Sequence, residues 1–197
     1  MFETFIADDV RDLIHEFPLA WVCASGGRAD HASLLPLIGG YDGDGRLTHL
    51  IGHMARGNPL FAALTKTSEA LILFNGPNAY VSPEQAGLRD WAPTWIYAQV
   101  RIEAKIVFEP EQTGAALDTL IDAMEVGRPE PWHSGELGAR YASMLNAIIG
   151  FRAEVTMLAG KFKLGQDERP KTLASILQSL VDPALIRWIR RFNPAKD

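Results

Sequence analysis

Residues 94–109 read TWIYAQVRIEAKIVFE. Ile96, Ala98, Val100, Ile102, Ala104 and Ile106 alternate with Trp95, Tyr97, Gln99, Arg101, Glu103 and Lys105. A period of two is the mark of a strand, because successive side chains point to opposite faces. This stretch therefore predicts a long strand with one face in a core and an aromatic, charged face turned outward.

The segments before it continue the pattern. In DDVRDLIHEF (8–17), Val10, Leu13, Ile14 and Phe17 share a helical face, with Asp8 as N-cap and Pro18 as the stop. LAWVCAS (19–25) reads as a buried strand ended by Gly26 and Gly27. ASLLPLIGG (32–40) reads as a short strand whose Pro36 predicts an edge or a bulge. YDGDGR (41–46) is a turn and LTHLIGHM (47–54) a strand, so the two strands form a hairpin. The Asp-Gly-Asp-Gly of that turn lacks the third oxygen ligand and the late Glu of a calcium loop. NPLFAALTKT (58–67) predicts a helix capped by Asn58 with Pro59 in its first turn. EALILFNG (69–76) is strand-like, and PNAYVSPEQAGLRDWAP (77–93) reads as a long irregular loop.

After the alternating strand come two amphipathic helices, 110–126 and 135–148, separated by GRPEPWHS. Strand periodicity returns in GFRAEVTMLAGKFKLGQ (150–166), read as a strand pair with Gly160 at a turn or bulge. Helices over 169–180 and 183–192 close the chain. This order is not the strand–helix repeat of a parallel sheet. It predicts a mainly β fold, an antiparallel barrel with flanking helices. One domain is expected over 1–197, with a helical insertion at about 110–148 and C-terminal helices at about 170–193.

The formal charge of −5 argues against broad nucleic-acid or anionic-membrane binding, though not against a local basic patch. The single Cys23 excludes an internal disulfide and is read as a buried, inert thiol. MFETFIADDV has no basic start and no long apolar stretch, so no signal peptide is expected. No apolar run approaches the ~20 residues of a membrane span, and a cytoplasmic protein is the default expectation.

The sequence contains no Walker loop, no G-x-G-x-x-G, no H-E-x-x-H and no G-x-S-x-G. His49 and His53 would share a strand face about 13 Å apart, too far for one metal ion. Polar residues gather in three clusters instead. In GHMARGNP (52–59), His53, Arg56 and Asn58 could line an anion site, with amide donors from the following helix, or form only a capped turn. In PTWIYAQ (93–99), Trp95 and Tyr97 need cover from a partner, a flat ligand or the preceding loop. In GKFKLGQ (160–166), Lys161 and Lys163 share a face near Gln166, to neutralise a phosphate or to guard a strand edge.

GHMARGNP, FNGPNAYVSP, PTWIYAQV and IIGFRAEVTMLAGKFKLGQ together resemble the PaiB family, described as FMN-binding negative transcriptional regulators. The resemblance runs from near the N-terminus to about Leu180. It implies an FMN-binding split barrel related to pyridoxamine-phosphate-oxidase-like flavoproteins, usually a homodimer with flavin at the subunit interface. Carried over by motif, the cofactor-binding residues are His53, Arg56 and Asn58, then Thr94, Trp95 and Tyr97, then Lys161, Lys163 and Gln166. Ser33 and Leu34 join them from a segment that resembles the family's ATHLPL. The chain departs from the family at Ile96, where Asn is usual, at Gly165 and Asp167, and in the loop after YVSP.

Three functions are expected from these observations. The first is an FMN flavoprotein, a candidate oxidoreductase with Tyr97 and His53 as candidate acid–base groups. The second is a regulatory or partner-binding protein without flavin. Direct DNA binding has only the basic Arg187–Arg191 stretch to support it. The third is a haem-binding split barrel using His31, His49, His53 or His133.

Overall fold

The computed structural model describes residues 2–26 and 28–194. Gly27, one of the two glycines expected to end the first strand, lies outside the described residues. The chain falls into two compact units. The first comprises Met1–Phe5, Asn75–Val100 and Gly160–Asp197; the second comprises Ile6–Phe74 and Arg101–Ala159.

Among the described residues seven strands form one sheet: β1 (Leu19–Ala24), β2 (Ala32–Pro36), β3 (Ile38–Tyr41), β4 (Leu47–Ala55), β5 (Glu69–Val81), β6 (Thr94–Phe108) and β7 (Ile148–Lys163). Their order is β2-β1-β5-β6-β7-β4-β3. The helices are α1 (Ala7–Glu16), α2 (Pro59–Lys66), α3 (Pro83–Ala86), α4 (Thr113–Glu125), α5 (Arg140–Ala147), α6 (Pro170–Ser179) and α7 (Pro183–Phe192).

In the second unit β1 pairs antiparallel with β2 and β5, and β4 pairs antiparallel with β3 and β7. β2 and β3 end the strand order on opposite edges, yet only Leu37 separates them in the chain. Two edges joined by one residue require the sheet to curl back on itself, as a barrel does. Leu37 is fully buried there, and its amide donates to Pro18 O at 2.9 Å. Pro36 stands on an edge strand, where its missing donor costs no ladder bond. The expected hairpin is β3–β4. Its turn is held by Asp42 Oδ1, which accepts from the Asp44 and Arg46 amides.

The alternation read in 94–109 is the observed one. Ile96, Ala98, Val100, Ile102, Ala104 and Ile106 are all 4 % exposed or less. Val10, Leu13 and Ile14 of α1 are buried as expected. The cap differs: α1 begins at Ala7, and Asp9, not Asp8, accepts from the backbone, taking the Ile6 amide at 2.8 Å.

Four other expectations change. β1 is not buried on both faces, since Leu19 and Trp21 are exposed between Ala20, Val22 and Ala24. Cys23 is half-buried on that same outer side, opposite Ala32 and Leu71, rather than in the core. β5 continues through Pro77 to Val81, and a Ser82–Gln85 capping box then starts α3, so 77–93 is only partly loop. β7 is one strand rather than two. At Gly160 a Cβ would lie 2.8 Å from the Phe5 and Phe162 rings, so glycine serves close ring packing there, not a turn.

In the first unit Phe162 stacks on Trp188 and Phe192 at centroid distances of 5.9 and 4.9 Å and meets Phe5 at 5.5 Å. The buried Asn193 donates Nδ2 to Leu164 O and Ile189 O, tying the end of α7 to the chain after β7. In the second unit α4 buries only Thr113 and Ala116, and α5 buries no residue fully. Gly150 lets α4 approach β7, because a Cβ there would sit 2.9 Å from Thr113 Cα.

Candidate functional site

The predicted site residues divide between the units. Ser33, Leu34, His53, Arg56 and Asn58 belong to the second; Thr94, Trp95, Tyr97, Lys161, Lys163 and Gln166 belong to the first.

In the second unit, β4 ends at Ala55 and the chain turns through Arg56 and Gly57 into α2. The turn is fixed by Arg56 N donating to Ala147 O and Asn58 N to Ala55 O. Asn58 caps α2, its Oδ1 accepting from Leu60 N at 3.0 Å, while its Nδ2 donates to Ser33 Oγ at 2.9 Å. The expected supply of free amides at the start of α2 is absent. Pro59 has no N–H, Leu60 N goes to the Asn58 side chain, and Phe61 N donates to Asn58 O. The first turn of α2 therefore offers no free amide to an anion. Arg56 is exposed, and its guanidinium makes no ion pair or hydrogen bond among the described residues.

Ser33 and Leu34 point to opposite faces of β2. Ser33 lies opposite the buried Val22, whereas Leu34 lies opposite Trp21. Leu34, Trp21, Leu19 and Leu71 are 45, 44, 52 and 40 % exposed and share the outer side of β2-β1-β5. His53 lies opposite Gly150 on the face away from Leu50 and Met54. Its Nδ1 is buried and has no hydrogen-bond partner among the described residues. Burial pushes the His53 pKa below its ordinary value, because a charged ring would lose solvation.

In the first unit the Lys163 ammonium donates to Thr94 Oγ1 and lies 6.0 Å from the centre of the Phe2 ring. Both line a cavity of about 320 Å³ with Trp91, Ile96, Asp167 and Glu168. Trp91 Nε1 donates to Glu168 Oε2 at 3.2 Å. Trp95 is 55 % exposed and meets the exposed Tyr80 edge-on, with ring centres 6.0 Å apart. Tyr97 and Lys161 are half-buried. Gln166 turns inward on its own loop, accepting from Leu164 N and donating to Phe162 O. Its amide therefore shapes the segment that follows Lys163. Tyr80 was not singled out in the sequence; its pairing with Trp95 depends on the register of two strands.

The net charge conceals a division. The first unit holds nine Lys and Arg against seven Asp and Glu; the second holds ten against seventeen. Lys161 and Lys163 thus stand in the unit with an excess of cations, and Arg56 in the unit with an excess of acids.

A family model described as "Putative FMN-binding domain" matches residues 1–157. The chain belongs to this FMN-binding family. FMN is the cofactor of the domain. "Protease synthase and sporulation protein PAI 2" of Bacillus subtilis is 25 % identical over 181 residues, covering 91 % of this chain and 86 % of that protein. Among solved structures, the FAD and haem binding protein from Mycobacterium smegmatis is similar with a TM-score of 0.61 at 20 % identity, covering 89 % of this chain and 80 % of that one. The flavocytochrome Anf3 from Azotobacter vinelandii is similar with a TM-score of 0.57 at 14 % identity, covering 82 % and 69 %. These likenesses bear out the split-barrel fold and the PaiB resemblance.

The residues present fit the FMN-binding family. An uncommitted Arg56 beside the Ser33–Asn58 pair suits a phosphate, and an exposed aromatic pair and an ammonium–hydroxyl pair stand in the first unit. The unpartnered His53 Nδ1 is a buried polar atom that the protein alone leaves unsatisfied. Ile96 is buried and supplies a hydrocarbon wall to the Lys163 cavity. No helix is long and apolar enough to cross a membrane, and no group of His, Cys, Asp and Glu could hold a metal ion, among the described residues.

Proposed function

We propose that the chain is a homodimeric FMN flavoprotein in which Ser33 and Arg56 hold the flavin phosphate. The observation that carries this reading is the opposed orientation of Ser33 and Leu34 on one edge strand. Leu34, with Leu19, Trp21 and Leu71, offers an apolar face that a second copy of the chain would cover. Ser33 is held from its other side by Asn58, two residues from the uncommitted guanidinium of Arg56. One strand thus serves both the partner and the phosphate. Asn58 acts through Ser33 and α2 rather than on the phosphate, since both ends of its amide are engaged. Lys163 with Thr94 is a second candidate anion contact, tested by its own substitution.

Bound FMN supplies the redox chemistry of its ring system. The chain's part is to bind and orient it. His53, its protonation disfavoured by burial, offers a neutral imidazole at pH 7.

The test is the visible spectrum of the purified chain before and after excess FMN and gel filtration, with light scattering on the same column. Retained flavin bands on a dimer support the proposal. A colourless monomer overturns it, and a Soret band transfers the site to haem and the histidines.

A regulatory role is the second reading. The Bacillus relative's name refers to sporulation, and Arg187, Arg190 and Arg191 are exposed on α7. Steeply salt-dependent DNA binding, lost on truncation after Pro183, would favour it; binding to no DNA would remove it.

A further inference from the structure

A second cavity shares no residue with these clusters. It encloses about 370 Å³ in the second unit, lined by α1 (Arg11, Asp12, Ile14, His15), the edge strand β3 (Ile38, Gly39, Tyr41) and the last turn of α4 (Ala123, Met124). We propose that it binds a small, flat, neutral molecule, an aromatic ring carrying a carbonyl-type oxygen.

The argument starts at Gly39. A Cβ there would lie 2.3 Å from the Tyr41 hydroxyl and 2.6 Å from its ring carbon Cζ. The glycine therefore lets the phenol lie across the strand at the cavity wall. The Tyr41 hydroxyl makes no hydrogen bond among the described residues, so a half-buried donor is left for a ligand. Burial raises its pKa to about 12, so it remains a donor throughout the physiological range.

The charges beside it select against ions. Arg11 is held by Asp8 at 2.9 Å and by Asp12 at 3.3 Å, so its cation is already answered. A carboxylate ligand would have to displace those acids. An ammonium would have to take Asp12 from that arginine. The remaining lining is apolar: Ile14, Ile38, Ala123 and the pliable thioether of Met124. A cavity of this size with an apolar wall and an unengaged hydroxyl donor suits a small ligand.

The test uses 4-fluoroacetophenone, followed by fluorine NMR on the full chain, with 4-fluorobenzoate and 4-fluorobenzylamine as charged analogues of the same size. Saturable binding of the ketone, weaker binding of both ions, and unchanged affinity in the presence of FMN are expected. Tyr41→Phe removes only the hydroxyl and should weaken the ketone about tenfold. Met124→Trp, at the rim, should abolish binding while the circular dichroism spectrum stays as in the parent. No saturable binding, equal binding of either ion, displacement by FMN, or full affinity in both variants would each overturn the proposal.

Discussion

Asn58 joins two segments 25 residues apart, its Nδ2 donating to Ser33 Oγ at 2.9 Å while its Oδ1 caps α2 through Leu60 N. One carboxamide thus fixes the edge strand β2 against the start of a helix. Ser33 Oγ also lies within donating distance of that Oδ1, at 3.1 Å, so the oxygen faces both the strand and the helix.

Asn58→Asp keeps the cap acceptor and removes the donor to Ser33; Asn58→Ala removes both. The alanine variant should lose about 1–2 kcal/mol in urea melts and the aspartate variant less. Equal losses would show that the cap contributes nothing.

Arg56 is exposed and unpaired among the described residues, so Arg56→Ala should shift stability by no more than about 0.5 kcal/mol. Its affinity for FMN, read from quenching of flavin fluorescence, should fall roughly tenfold or more, since a charge-assisted bond to phosphate is lost. An unchanged affinity rejects Arg56 as the phosphate contact.

Trp21 and Leu34 face each other on the outer side of the sheet. Trp21→Asp or Leu34→Asp should turn the proposed dimer into a monomer in sedimentation velocity. Cys23 lies on the same side, so its thiol should react faster in these variants than in the parent. A parent thiol as reactive as that of the variants would place the interface elsewhere.

His53 titrates below its ordinary value of 6.5 because of burial. The unfolded chain therefore binds the proton first as pH falls. Stability contributed by the neutral ring is present above pH 6.5 and declines below it, levelling off once the folded ring also protonates. His53→Gln should flatten that part of a stability–pH curve measured by urea melts from pH 7.5 to 5. An unaltered slope would assign it to another group.

Much of the fold was legible because periodicity is local. The alternation from Ile96 to Ile106, the face Val10–Leu13–Ile14 and the Asn58–Pro59 helix start each depend on neighbours in the chain, and each is present. The exposure of Trp21 was not legible. An apolar run reads the same whether its second face meets a core or is left bare, and only the placing of β1 between β2 and β5 decided it. Gly160 shows the same limit, since glycine in sequence signals freedom of the backbone whether it serves a turn or the approach of Phe5 and Phe162.

The sequence by itself determined the alternation of β6, the buried face of α1, the start of α2 and, through its four motif blocks, the FMN-binding family. Tertiary structure alone decided what each motif residue does. It engaged the amides of Asn58 and Gln166 in holding the backbone, left Arg56 uncommitted, and turned Ser33 and Leu34 to opposite faces. The physical reason is that a hydrogen bond needs a partner at about 3 Å, and partners distant in sequence are brought to that distance only by strand register and helix packing.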